Sequence, residues 1–99
     1  MEIDAIIIDE DDNVATALRD IESRERVIIS IGENFKECLI NERIPYGHKF
    51  AVKDIARGEN IFKYGEVIGR ATHNIAVGNH AHIQNIESLR GRGDLEYEE

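Results

Sequence analysis

Asp54-Ile55-Ala56-Arg57-Gly58-Glu59-Asn60-Ile61 recurs twenty positions later as Asn74-Ile75-Ala76-Val77-Gly78-Asn79-His80-Ala81, in the form Asp/Asn-Ile-Ala-x-Gly-x. Each copy lies between short apolar runs, which marks it as a wide turn. The isoleucine plugs inward and the glycine takes a backbone conformation that other residues resist. Such turns connect strands expected at 49–52, 60–63, 66–72 and 79–83. Glycines at 47, 58, 65, 69 and 78 punctuate the region too closely for helices of useful length. The second half therefore reads as a compact, turn-rich β unit. It starts at His48, after Ile44-Pro45-Tyr46-Gly47, where the lone proline fixes φ and disfavours helix before it.

Upstream of that break, the branched apolar run from Ile3 to Ile8 is a strand that leaves the core into the solvated turn Asp9-Glu10-Asp11-Asp12. Val14, Ala17, Leu18 and Ile21 recur at helical offsets, so one short amphipathic helix is expected there, capped by Asp12 or Asn13. Val27-Ile28-Ile29-Ser30-Ile31, stopped by Gly32, reads as a second strand and Cys38-Leu39-Ile40 as a third. Downstream, residues 87–99 alternate polar, basic and glycine positions with little apolar content, and are expected to form an extended or flexible arm. The expected fold is mainly β with one short helix, in a single domain over 1–86.

The chain has 99 residues, enough for one modest core but short for an enzyme that walls in its own substrate, so a partner is expected. At 41% hydrophobic and 32% charged it is too apolar to stay disordered. The longest apolar run, Ala5-Ile6-Ile7-Ile8, is far below membrane-spanning length, and acids near the start replace the basic flank of a signal peptide. With Cys38 as its one cysteine, the chain has no internal disulfide, and a reducing cytoplasm is the expected location. Cys38 itself reads as a small buried residue.

Charge is unevenly placed. Residues 1–47 carry 12 acids and 5 bases, 48–93 carry 4 and 7, and 94–99 carry 4 and none, so the net values are −7, +3 and −4. The overall −8 argues against nucleic acid, whereas the +3 block, with Lys49, Lys53, Arg57, Lys63, Arg70, Arg90 and Arg92, suits a small anionic ligand.

Chemistry concentrates in His80-Ala81-His82-Ile83-Gln84-Asn85. On a strand His80, His82 and Gln84 share one face, where two imidazoles can serve one metal ion or donate hydrogen bonds to a carboxylate. Two solvent-facing histidines are the plain alternative. His48 points across the unit toward them only if the fold closes that way, and His73 reads as a loop residue. Lys63-Tyr64-Gly65 offers a cation, a phenol and a flexible backbone position on one turn, suited to a carboxylate and a hydroxyl. The plain alternative is an ordinary hairpin turn. No serine-hydrolase order, phosphate-binding glycine loop or helical His-Glu-x-x-His is present.

Taken together, Gly47-His48-Lys49-Phe50-Ala51, the two Ile-Ala-x-Gly turns, Lys63-Tyr64-Gly65-x-x-Ile68-Gly69 and His80-x-His82-x-x-Asn85 resemble the N-terminal domain of the altronate and galactarate dehydratase family. Asp12-Asn13-Val14-Ala15-Thr16-Ala17-Leu18 resembles its start. The segment from Asn85 to Asp94 resembles the version in which the domain is a separate small subunit. The resemblance implies a SAF-type domain with a β-clip fold that works with a large catalytic subunit to dehydrate a sugar acid to a 2-keto-3-deoxy acid. It would be a non-autonomous part of a carbon-oxygen lyase, associated with a divalent metal, iron or manganese. A sulfolactate sulfo-lyase has a similar layout, and a stand-alone binding module for an anionic hydroxy acid is the reading from another class. The implied roles are His80 and His82 as catalytic or metal-proximal groups, and His48, Lys49, Lys63, Tyr64 and Asn85 as substrate contacts. Arg90, Gly91, Arg92 and Gly93 would dock the arm on the partner. Many members continue the run as His-x-His-x-His-Asn. Here Gln84 stands third, and it is a poor transition-metal ligand, so the remaining ligands would come from the partner.

Overall fold

Nine short strands account for the regular structure in the computed structural model, which describes residues 2–88. They are β1 (Ala5–Ile7), β2 (Val14–Ala17), β3 (Arg26–Ile31), β4 (Asn34–Leu39), β5 (Lys49–Ala51), β6 (Asn60–Lys63), β7 (Glu66–Ala71), β8 (His80–Ala81) and β9 (Ile86–Ser88). Six pair in the order β4-β3-β1-β2-β5-β8 and three in the order β6-β7-β9. All pairings are antiparallel except β1 with β3. The fold is a β-clip. The second half is not a separate unit, because β5 and β8 extend the sheet that the first half begins.

The expected helix over 14–21 is absent: among the described residues there is no helix, and Val14–Ala17 is strand β2, between β1 and β5. The reason lies in two cores that share their central strands. Ala15, Ala17 and Phe50 face a core with Ile7, Ile29 and Ile44, whereas Val14 and Ala51 face a second core with Ile55, Ile61 and Ile75. A strand buried on both faces shows no alternation, so its apolar spacing imitates a helix. Asp12 and Asn13 are accordingly not helix caps. The buried Asp12 carboxylate accepts hydrogen bonds from the backbone N–H groups of Tyr64 (2.8 Å) and Gly65 (2.9 Å). Asn13 accepts from Phe62 N (2.8 Å) and donates to Asn60 O (2.9 Å), so the pair clamps the β6–β7 hairpin from fifty residues away.

Other expected boundaries shift. The third strand is longer, as β4 pairs with β3 through a tight hairpin from Ile31↔Asn34 to Arg26↔Leu39. The strand expected over 79–83 stops at Ala81, where the chain turns back on itself. Strand β9 continues through Ser88, past the point where the arm was expected to begin.

The turn motif recurs more often than the sequence repeat. Ile21 and Ile44 exchange backbone hydrogen bonds at 2.8 Å in both directions, and Ile55 and Ile75 do the same at 2.8 and 2.7 Å. In every copy the third residue after the isoleucine has positive φ: Arg24 at 76°, Gly47 at 82°, Gly58 at 91° and Gly78 at 89°. The next N–H then reaches back to the carbonyl of the residue after the isoleucine. Polar side chains lock the pairs crosswise, Asp20 accepting from Tyr46 N, Asn74 from Arg57 N and Asp54 from Val77 N. At Gly78 the close packing is strict as well, since a Cβ there would collide with the Leu39 carbonyl.

Candidate functional site

Two of these turns deliver histidines to one place. The turn after Ile44 releases His48 at the start of β5, and the turn after Ile75 releases His80 at the start of β8. Antiparallel pairing of β5 with β8, register Phe50↔His80 and Lys49↔Ala81, leaves His48 diagonal to His80 and next to His82. His82 follows on the same side. His48 Nδ1 lies 2.9 Å from His80 Nε2, and the three rings stack with centroids 4.1–5.5 Å apart. One nitrogen from each ring falls within 4.8 Å of the others. His80 and His82 do share one side as expected, though through the turn beyond Ala81 and not through strand alternation, and closure of the fold adds His48 as a third member. His73 stands apart, bonded to Thr72 Oγ1 at 2.8 Å.

Two rings of this cluster, His80 and His82, favour the neutral form. Burial, reinforced by His48 and Lys49, holds both His80 and His82 below the ordinary histidine pKa. A neutral ring keeps a lone pair for a metal ion or a proton. Three imidazole nitrogens form a borderline donor set that suits divalent iron, manganese or zinc. Two nitrogens bound at right angles to one ion at about 2.1 Å stand about 3.0 Å apart, so the 2.9 Å separation of His48 and His80 fits such an ion. The same separation fits a proton shared between the two rings.

Beside the cluster opens a cleft of about 380 Å³, lined by Lys49, Lys63, Tyr64, Glu66, Ile68, His82, Ile83, Ile86 and Ser88. Of the expected substrate contacts, Lys49, Lys63 and Tyr64 share its wall. Neither lysine forms an ion pair among the described residues. Burial, with Lys63 adding repulsion, depresses the Lys49 pKa, which marks a place where an anion would be welcome. The Lys63 ammonium lies 4.9 Å from the centre of the Tyr64 ring. Tyr64 has φ of 57°, and its N–H is held by Asp12, as is that of Gly65. Asp12 is therefore a site-building residue that sequence reasoning assigned to a helix cap. Its signal, a lone acid–amide pair ending an acidic run, does not reveal a partner so far along the chain.

Asn85 belongs to the architecture of the cluster. Its side chain accepts from His82 N at 2.9 Å and donates to His80 O at 2.8 Å, closing the turn that aims both rings. Gln84 does not continue a strand face. It folds back within that turn to place Nε2 at 3.1 Å from His80 Nδ1. Glu42 accepts from His80 N at 3.0 Å. Cys38 is buried, and burial pushes its thiol pKa up, as befits an unreactive core residue. Arg90, Gly91, Arg92 and Gly93 lie outside the described residues. No helix among the described residues is long and apolar enough to cross a membrane.

The sequence as a whole matches known proteins. A family model described as the altronate/galactarate dehydratase SAF domain matches residues 3–89. Altronate dehydratase of Escherichia coli is 40% identical over 74 residues, covering 75% of this chain and 14% of that protein. Altronate dehydratase of Bacillus subtilis is 37% identical over 83 residues, covering 84% and 16%. The chain thus spans about one-seventh to one-sixth of the length of these two relatives. The (2R)-sulfolactate sulfo-lyase subunit alpha of Chromohalobacter salexigens is 32% identical over 95 residues, covering 91% of this chain and 99% of that subunit.

Proposed function

The chain belongs to the altronate/galactarate dehydratase SAF-domain family, and from that premise we propose that it is the small subunit of a lyase acting on an anionic hydroxy acid. A large catalytic subunit would complete the active site around His48, His80 and His82. The observation that carries this reading is the convergence of three imidazoles on the lip of a lysine-lined cleft. Near end-to-end alignment with a sulfo-lyase alpha subunit supports the two-chain arrangement. So does Ile83, which is 84% exposed at the rim of the same cleft, where a covering partner would bury it. Arg90, Gly91, Arg92 and Gly93 would continue that contact along the partner.

Elimination from such an acid removes the proton α to the carboxylate and expels the group on the neighbouring carbon. Lys49 and Lys63 attract and orient the carboxylate, and Tyr64 offers a hydrogen bond to a hydroxyl. A divalent iron or manganese ion at the imidazole cluster would act as a Lewis acid on substrate oxygen. With no ion bound, the paired rings of His48 and His80 can hold a proton between them. With the imidazole lone pairs of His48, His80 and His82 taken by the ion, the base for the α-proton would come from the partner.

The leaving group distinguishes two versions of the reaction. Loss of water from a sugar acid gives a 2-keto-3-deoxy acid, whereas loss of sulfite from a sulfonated hydroxy acid gives a keto acid without sulfur. Co-expression with a large lyase-type chain, purification through a tag on this chain alone, and assay of both product classes test the proposal. Co-purification with either product is the expected result. A monodisperse 99-residue protein that retains no large chain would replace this reading with a stand-alone binding module.

A further inference from the structure

The turn over 82–85 gives His80 a different partner on each ring nitrogen. Nε2 faces the cluster, 2.9 Å from His48 Nδ1, and Nδ1 faces away, 3.1 Å from the Gln84 amide. A neutral imidazole carries one N–H and one lone pair, so whatever binds Nδ1 decides what Nε2 can offer. When Gln84 presents its NH2 group, Nδ1 accepts, and the proton sits on Nε2, donated to His48. When the amide presents Oε1, Nδ1 carries the proton and the Nε2 lone pair turns to the cluster. The two amide ends have nearly the same shape, and the Gln84 side chain is exposed, so the exchange requires no repacking.

Neighbouring polar side chains are engaged elsewhere. Glu42 and Asn85 bond to backbone N–H and C=O groups of this turn rather than to the outer nitrogen of His80. Resting on the reading of the cluster as a divalent-cation site, we propose that Gln84 is its outer-sphere partner. Its amide fixes the His80 tautomer, donating to Nδ1 when the rings share a proton and accepting from Nδ1–H when a cation is bound. A glutamine that is a poor inner ligand is in this way a competent positioning residue, because it can reverse its polarity where a carboxylate cannot.

The test uses the full 99-residue chain with Co²⁺ as the probe at pH 8, followed by visible absorption and calorimetry. Imidazole ¹⁵N shifts of the cation-free protein report the tautomer. Gln84→Met is expected to weaken cobalt binding about 10- to 100-fold. Gln84→Glu, an acceptor only, is expected to strengthen it and to move the His80 proton to Nδ1 before any metal is added. Circular dichroism verifies that both variants fold. Wild type that binds no cobalt overturns the cation-site reading and this proposal with it. If wild type and Gln84→Met bind cobalt equally while His80→Ala does not, only the outer-sphere role is overturned. An unchanged His80 tautomer in Gln84→Glu overturns it too.

Discussion

The four isoleucine turns share one backbone path but do two different jobs. In the turns after Ile21 and Ile55, the residue four positions on is Glu25 or Glu59, and its carboxylate folds back onto the turn, accepting from Glu22 N or Ala56 N at 2.6 Å. These turns close on themselves. In the turns after Ile44 and Ile75, the corresponding residues are His48 and Asn79, and neither caps its own turn. All four turns lead directly into a strand, but only those that enter β5 and β8 bring His48 and His80 to the cluster. The difference shows how one folding unit is divided between stability and function: the self-capping acid is given up where the side chain is needed outside the turn.

The comparison breaks most severely at Gly78. Alanine there meets both a positive φ of 89° and the Leu39 carbonyl, so Gly78→Ala is expected to cost about 3 kcal/mol or more and to dissolve the cluster. Chemical denaturation and ¹⁵N spectra of the histidines measure both effects. The capped turns should fail more gently. Glu59→Ala removes one exposed side-chain hydrogen bond and is expected to cost about 0.5–1 kcal/mol, with the histidine shifts unmoved.

A pH series separates the two kinds of turn without mutation. The imidazoles of His80 and His82 are held below 6.5 by burial, so an unfolded chain takes up protons near 6.5 that the folded chain refuses. Stability contributed by the site turns is therefore full above pH 6.5 and declines as pH falls below it. Glu25 is held below 4.5 by its hydrogen bonds to Arg19 and to Glu22 N, so its contribution is full above pH 4.5 and is lost in more acidic solution. Thermal melts of His80→Gln/His82→Gln should keep the acid step and lose the one near neutrality. The smallest effect is expected at Arg24, whose φ of 76° glycine tolerates better: Arg24→Gly should change stability by about 1 kcal/mol or less. A large loss there would show that the Arg24 side chain, not the turn, holds this corner.

Legibility followed the same division. The pair at Ile55 and Ile75 is written in nearly identical residues and was readable as two turns. The pair at Ile21 and Ile44 has the same hydrogen bonds but spells its positive-φ position once with Arg24 and once with Gly47 after a proline. That kinship is visible only in three dimensions. The strands of the second half follow from local pattern, whereas His82 comes to the side of His80 through the turn that Asn85 closes beyond Ala81. The approach of His48 to them depends on β5–β8 pairing across about thirty residues, which no local signal encodes. Strand β2 misled because Val14 and Ala15 are buried in different cores, a fact about neighbours rather than about the strand.

Diffraction from crystals grown with manganese or iron, with anomalous data collected at the metal edge, tests the central claim most directly. The account predicts a single peak about 2.1–2.3 Å from one nitrogen each of His48, His80 and His82, lost in His48→Ala. A cluster whose rings keep only their mutual hydrogen bond in the presence of excess metal, or a peak elsewhere on the chain, would contradict it.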